Sequence, residues 1–245
     1  MVLREITPLG EHDFMYVADR HKKEFDYPIH QHEIFELNFV IGAAGCRRVV
    51  GDSSEVITNL DMVLITSPGL EHVWEQHECH SEDIHEVTVQ FYLDFDSPTS
   101  PFHTNPYRSI YHMMTRAKRG LAFPPKAVMT VYNRMVSLSA IKEGFLAVHQ
   151  LFRILYELSK FDDAHELASS SFAKVDTNSE SKRIQKVKQY IDENYKDDIS
   201  LEQLADLVGM APTAFSRYFK QATGKKLSEY IRQFGIRKLH KKLVI

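Results

Sequence analysis

The chain has 245 residues, 43% apolar and 26% charged, with a formal net charge of −3. That length supports one large domain or two smaller ones with real cores. No stretch approaches the ~18–20 consecutive apolar residues of a membrane span. The opening "MVLREITPLGEHDF" lacks the h-region of a secretory signal, and two cysteines, Cys46 and Cys79, make no disulfide framework, so a cytoplasmic protein is expected.

The small net charge conceals two oppositely charged parts. Residues 182–245 hold 14 Lys/Arg against 7 Asp/Glu, a net of +7, and the preceding 181 residues carry −10. Charge segregated this way implies two functional parts, and the basic one suits a polyanion.

Residues 1–95 read as β structure. "HEIFELNFVI" alternates, as does "HEVTVQFYLD", in which Val87, Val89, Phe91 and Leu93 share a face. Turn signals "GAAG", "GDSS" and "SPGLEH" separate the runs, a spacing that suggests a barrel or sandwich. "YPIHQHEIFELNFVIG" places His30, His32 and Glu36, all metal-ligand types, before and within one such run. In a single continuous strand His30, His32, Ile34, Glu36, Asn38 and Val40 lie on one face, so the three can point into one cavity. "PGLEHVW" adds His72, with Trp74 two residues on and on the same face if extended. "HECHSEDIH" (His77, Cys79, His80, His85) is polar and without regular ligand spacing, and reads as an exposed connection.

After "DSPTSPFHTNP" the pattern turns helical near 107–119, 126–139 and 144–160. A serine-rich polar stretch over 166–181 reads as a linker, dividing the chain into domains at 1–165 and 182–245.

The sharpest local signal is "DDISLEQLADLVGMAPTAFSRYFKQATGKKLSEY". Ser200 with Gln203 is a capping box that starts a helix at Leu201. Gly209 ends it, Pro212 suits the first position of a second helix, and Gly224 closes that one. Phe215 and Phe219 take one face, leaving Thr213, Ser216, Arg217 and Lys220 outside. Two short helices across a glycine turn form a helix-turn-helix, whose second helix enters the DNA major groove. Arg217 can pair with guanine, and Thr213 and Ser216 can reach base edges. Lys220, Lys225 and Lys226 suit phosphate contacts.

Leu204-Ala205, Val208-Gly209-Met210, Phe215, Arg217, Phe219-Lys220, Gly224 and Tyr230-Ile231 resemble the first helix-turn-helix of AraC-type transcriptional regulators, over about 184–242. The resemblance implies double-stranded DNA as partner, transcriptional control, and a ligand-sensing, often dimerising, cupin-like domain ahead of paired helix-turn-helix units. The expected fold is therefore α+β: a cupin-like β-barrel (jelly roll) with a helical bundle, then a small all-α module, in a homodimer without membrane association. The sequence departs from the family by ending at Ile245, before a second helix-turn-helix. Gly235 also falls where arginine is usual, at a cost of ~1 kcal/mol inside a helix. Weakened DNA affinity is the expectation from the missing second helix-turn-helix, which halves the usual contacts.

Residues 27–93, with H-x-H-x3-E followed by P-G-x-x-H, resemble the two cupin motifs, although Leu60 stands where "G-D" usually opens the second; Asp61 is retained. The resemblance implies, for a metal-holding cupin, the ligands His30, His32, Glu36 and His72, a set suited to Zn, Fe, Mn or Ni. For a sensor it implies an effector pocket of His30, His32, Glu36, Asn38, His72 and Trp74, with no cofactor required. Two functions are thus expected to compete. One is a regulator responding to a small-molecule effector, without catalytic residues; the alternative is a metal-dependent cupin enzyme, an isomerase or dioxygenase, with a helical appendage.

Overall fold

The computed structural model describes residues 2–9, 13–97, 99–170, 172, 186–187, 190–191, 194, 199–223, 226–228 and 230–232. The chain divides into two compact units, Met1–Ala173 and Lys174–Ile245.

The first unit opens with nine strands: β1 (Leu3–Arg4), β2 (Met15–Lys22), β3 (His30–Gln31), β4 (Phe35–Ile41), β5 (Arg47–Val50), β6 (Ser53–Val56), β7 (Leu60–Ile65), β8 (His72–Glu75) and β9 (Ile84–Phe91). Helix α1 (Arg108–Arg116), strand β10 (Leu121–Ala122), helices α2 (Pro125–Ile141) and α3 (Gly144–Leu158) and strand β11 (His165–Glu166) follow. The strands make two sheets, in the orders β1-β3-β8-β5-β6 and β11-β10-β7-β4-β9-β2.

Strand parity assigns the faces of the larger sheet. Phe35, Leu37 and Phe39 of β4, Met62 and Leu64 of β7, and Val87, Val89 and Phe91 of β9 join α1–α3 in one apolar core. The opposite face turns to the smaller sheet. There Val40, Val63 and Ile65 pack with Val50 and Trp74 in a second core. The rest of that face is polar, with Glu36, Asn38, Glu86, Thr88 and Gln90 all buried. The register sets them side by side: Glu36 opposes Gln90 and Asn38 opposes Thr88. Residues buried on both faces of a central sheet are normally apolar, so this patch is the exception that a site requires.

Two expectations need correction. The run from His30 to Val40 is not one strand, because β3 belongs to the smaller sheet and β4 to the larger, with residues 32–34 turning between them. Nor does the first unit end at residue 165. Glu166 and His165 pair with β10, Leu167 and Ala168 donate backbone hydrogen bonds to the Gly120 and Arg119 carbonyls, and Leu167, Ala168 and Phe172 pack in the second core. The serine-rich composition concealed these apolar anchors. The remaining linker residues, 173–181, lie outside the described residues.

In the second unit the described residues include α4 (Leu201–Leu207) and α5 (Pro212–Thr223). Among the described residues no helix is long and apolar enough to cross a membrane.

Candidate functional site

Two sites emerge, one in each unit. In the first, His30 and His72 are direct cross-strand neighbours on β3 and β8. His32 follows β3, where its carbonyl accepts from the Gly69 amide at 3.1 Å. Gly69 has φ +81°, so the 67–70 turn that delivers His72 beside His32 needs a residue free of the Cβ penalty. Glu36 arrives from β4 in the opposing sheet. One ligand atom from each of the four residues lies within 4.8 Å of every other, and all four residues are buried.

Backbone carbonyls fix the histidine tautomers. His30 Nδ1 contacts the Pro28 carbonyl at 3.0 Å, His32 Nδ1 the Ile34 carbonyl at 2.8 Å, and His72 Nδ1 the Leu70 carbonyl at 2.8 Å. A carbonyl only accepts, so each Nδ1 carries a proton, and Nε2 of each ring is left facing the cluster. His32 Nε2 lies 3.0 Å from Glu36 Oε2, and His72 Nε2 lies 3.6 Å from Glu36 Oε1. His72 Nε2 is buried with no hydrogen-bond partner.

The electrostatics follow. Burial, reinforced by the neighbouring His72, depresses His30 to about 4. Burial opposes charge on Glu36 as well, yet His32 and His72 hold its carboxyl well below the ordinary range. Burial opposes charge on His32 as well, but the hydrogen bond and negative charge of Glu36, with the charge of Glu5 and the Ile34 carbonyl, together raise it. The site therefore presents a carboxylate facing imidazole nitrogens.

A cavity of about 520 Å³ adjoins this cluster; His30, Glu36, Asn38 and Trp74 line it, whereas His32 and His72 do not. Its wall also includes Tyr16, Arg20, Glu86, Thr88 and Gln90, which the sequence reading did not single out. The signal was present in "HEVTVQFYLD": the polar partners of its apolar residues alternate as regularly as the apolar ones. Asn38 donates to Glu86 at 3.2 Å and to Thr88 at 3.1 Å, and Gln90 donates to Glu36 at 3.1 Å. Asn38 Oδ1 and Gln90 Oε1 are buried without hydrogen-bond partners. Trp74 is fixed by donating Nε1–H to Asp61 Oδ2 at 2.9 Å, which gives the retained Asp61 its role.

The "HECH" segment divides. His77 is exposed and Cys79 is buried beside Cys46. Burial and the Cys79 thiol push Cys46 up to about 12, an inert thiol. His85 leaves that segment to stack on His21 with ring centroids 4.2 Å apart, and its Nε2–H donates to Asp19 Oδ1 at 2.7 Å. Asp19, His21 and His85 form a second, more exposed group of ligand types.

In the second unit both capping-box bonds are present: Gln203 N–H to Ser200 Oγ at 3.1 Å, and Ser200 N–H to Gln203 Oε1 at 2.9 Å. Gly209, at φ +66°, makes the turn, and the Met210 amide donates to the Ala205 carbonyl at 2.9 Å. Leu204, Ala205, Val208, Phe215 and Phe219 are buried together with Val187 and Ile191. Ala205 is fully buried, and its single methyl permits the close approach of α4 and α5. Thr213, Ser216, Arg217 and Lys220 are exposed along α5, and Lys226 is exposed after it. Lys225 and Gly224 lie outside the described residues.

Residues 191–232 match the family model for bacterial regulatory helix-turn-helix proteins, AraC family. The chain carries an AraC-family helix-turn-helix. The AraC-family match spans both helices and the glycine turn between them, including every proposed DNA-reading residue. No curated protein matches the chain by sequence. Among solved structures it is similar to ToxT from Vibrio cholerae. The unsaturated fatty acid-bound wild type is 15% identical with a TM-score of 0.37, covering 89% of this chain and 95% of that one. An apo ToxT is 13% identical with a TM-score of 0.40, covering 89% and 96%.

Proposed function

We propose that the chain is a transcriptional regulator that reads DNA through α5 and responds to a small molecule in the cavity of its first unit. The carrying observation is the division of α5: Phe215 and Phe219 are locked in the core while Thr213, Ser216, Arg217 and Lys220 stand exposed on a matched AraC-family module. In this reading Arg217 reads a base edge and Lys220, Lys225 and Lys226 bind phosphate.

The first unit is read as a cupin-like jelly roll whose inter-sheet cavity is the effector pocket, supported by two facing sheets and a buried polar wall. Homodimerisation belongs to the same reading, and Phe145 and Leu146, 80% and 67% exposed at the start of α3, are apolar side chains that a dimer interface would cover. The site of action is the cytoplasm. The enzyme alternative gives the DNA-reading module no role, which is why the regulator is preferred.

Fluorescence anisotropy tests the reading. DNA enriched by the protein from a random pool should bind more tightly than its scrambled counterpart at low salt, and affinity should fall steeply as salt rises. Equal affinity for the two sequences would refute sequence-specific regulation.

A further inference from the structure

Trp74 lines the cavity, and the groups that hold it lead away toward the end of the first unit. Register places Trp74 of β8 opposite Arg48 of β5, and Arg48 opposite Glu55 of β6. Residues directly opposite on antiparallel strands share a face, so the three form one row across the smaller sheet. Its first two members meet Asp61 of the larger sheet. Asp61 Oδ2 accepts the indole N–H at 2.9 Å, and Oδ1 accepts one terminal nitrogen of Arg48. The other terminal nitrogen of Arg48 donates to Glu55. Trp74, Arg48 and Asp61 are each no more than 6% exposed, so bulk water cannot replace a partner that moves. A guanidinium is a rigid planar fork. A shift of Asp61 at one end of Arg48 is therefore felt by Glu55 at the other.

The β5–β6 hairpin that carries Arg48 and Glu55 also grips the segment after α3. Asp52, in the hairpin turn, accepts the Ser169 amide N–H with Oδ1 at 2.7 Å. Gly51 beside it packs so closely that a Cβ there would stand 2.9 Å from Ala168 Cβ and 3.0 Å from the Phe172 ring. Glu55 Oε2 lies 3.7 Å from His165 Nε2. The hairpin thus meets this segment through Gly51, Asp52 and Glu55, and the chain runs on from it into the second unit, which begins at Lys174.

We propose that the β5–β6 hairpin is a lever between the cavity and the chain's passage to its DNA-reading unit. A molecule that displaces Trp74 moves Asp61 and Arg48, and the hairpin then changes its grip on His165, Ala168 and Ser169. The regulatory meaning of the lever rests on the reading of the chain as a regulator; the mechanical coupling does not. The adjacent row supplies a matched control. Arg47 and Glu75 pair at 2.6 Å across the same two strands, β5 and β8, but one residue out of phase and hence on the outer face.

The full-length protein allows the lever to be read from both ends. At the cavity end, Trp74→Phe keeps an aromatic ring and removes the indole N–H. Hydrogen exchange in peptides covering residues 164–170 should accelerate about twofold or more, as for residues coupled through a packed network, while peptides from α3 keep the wild-type rate. At the far end, the one tryptophan gives a single indole peak in a proton–nitrogen correlation spectrum. Asp52→Ala and Glu55→Gln should each move that peak, and Arg47→Gln should not. Asp52 and Glu55 are exposed, so this second arm holds even where Trp74→Phe fails to fold. Unchanged exchange in folded Trp74→Phe, or an indole peak unmoved by both hairpin variants, would overturn the lever. So would an equal response to Arg47→Gln, since the whole sheet would then be softening. Anisotropy on the wild type separates the two readings: coupling by both measurements in a protein without DNA preference would fail the regulator and spare the lever.

Discussion

Replacing Asp61 by alanine tests the polar scaffold behind the cavity. Asp61 is 6% exposed and receives two buried donors, the Trp74 indole N–H at 2.9 Å and the Arg48 guanidinium. Arg48 is itself 4% exposed and keeps one other carboxylate partner, Glu55, whose side chain is 46% exposed. Removing one member of a buried ion pair costs about 3–5 kcal/mol because a buried charge is left uncompensated. The surviving Glu55 contact argues for the lower end, ~3 kcal/mol, and the orphaned indole adds ~1–3 kcal/mol. Asp61→Ala should therefore destabilise the first unit by about 4 kcal/mol or more. Trp74 is the chain's one tryptophan, so urea unfolding followed by its fluorescence reports that unit. A loss under ~1 kcal/mol would refute the assignment of Asp61 as the counter-charge. The double replacement Arg48→Met with Asp61→Leu should cost less than Asp61→Ala, about the ~1–3 kcal/mol of the orphaned Trp74 indole, because no buried charge is left uncompensated and burial raises Asp61's pKa even with Arg48 and Trp74 opposing it. The sign carries a pH signature. A raised folded-state pKa means this group's contribution is fully present below the unfolded value, ~3.9, and declines as pH rises through the folded value. The double variant lacks that decline, so its stability relative to wild type should improve as pH rises across that window.

Arg217→Ala should weaken binding to preferred DNA by ~1–3 kcal/mol and relax preference at one base position, whereas Lys220→Ala should weaken all sequences alike and lower the salt slope. Ser200→Ala removes the hydrogen-bonded cap of α4 and should cost ~1 kcal/mol in the helix-turn-helix unit, read as a lower melting temperature by far-UV circular dichroism. Phe219→Ala empties a fully buried site and should cost ~3–5 kcal/mol, abolishing cooperative melting of that unit. Arg134 and Arg153 outweigh partial burial to hold Glu157 below the ordinary carboxylate range. Its contribution is present above the unfolded value and lost as pH falls through the folded one, so Glu157→Gln should lower stability at neutral pH and match wild type in acid.

Local signals explain how much could be read from sequence. The second unit was legible because its determinants are short-range: Ser200 and Gln203 are three residues apart, and Gly209 and Pro212 punctuate one turn. The first unit was legible in faces but not in pairings. Alternation in "HEVTVQFYLD" announced the apolar face of β9, but pairing with β2 and β4 depends on contacts dozens of residues away. His30, His32 and Glu36 converge for a reason that parity could not supply, since they reach one point from two sheets across a turn. Strand periodicity also gave no warning that Leu167, Ala168 and Phe172 anchor the segment after β11, because three apolar residues among serines show no period.

The histidine cluster connects that fold to a thermodynamic consequence. His72 Nε2, Asn38 Oδ1 and Gln90 Oε1 are buried without hydrogen-bond partners, and each unmet group costs about 1–3 kcal/mol. A chain of marginal stability keeps such groups at a disadvantage unless something bound to the native state meets them. A ligand that binds only the native state stabilises it by ~2.7 kcal/mol at a hundredfold excess over Kd. Zinc added to metal-free protein should therefore raise the melting temperature read by Trp74 fluorescence, as the unpartnered His72 nitrogen gains a cation. In Glu36→Gln, where the carboxylate is gone but the fold's shape is kept, the rise should shrink toward zero. An equal rise in both proteins would mean that zinc stabilises the chain elsewhere, and the unmet groups between the sheets would need another partner.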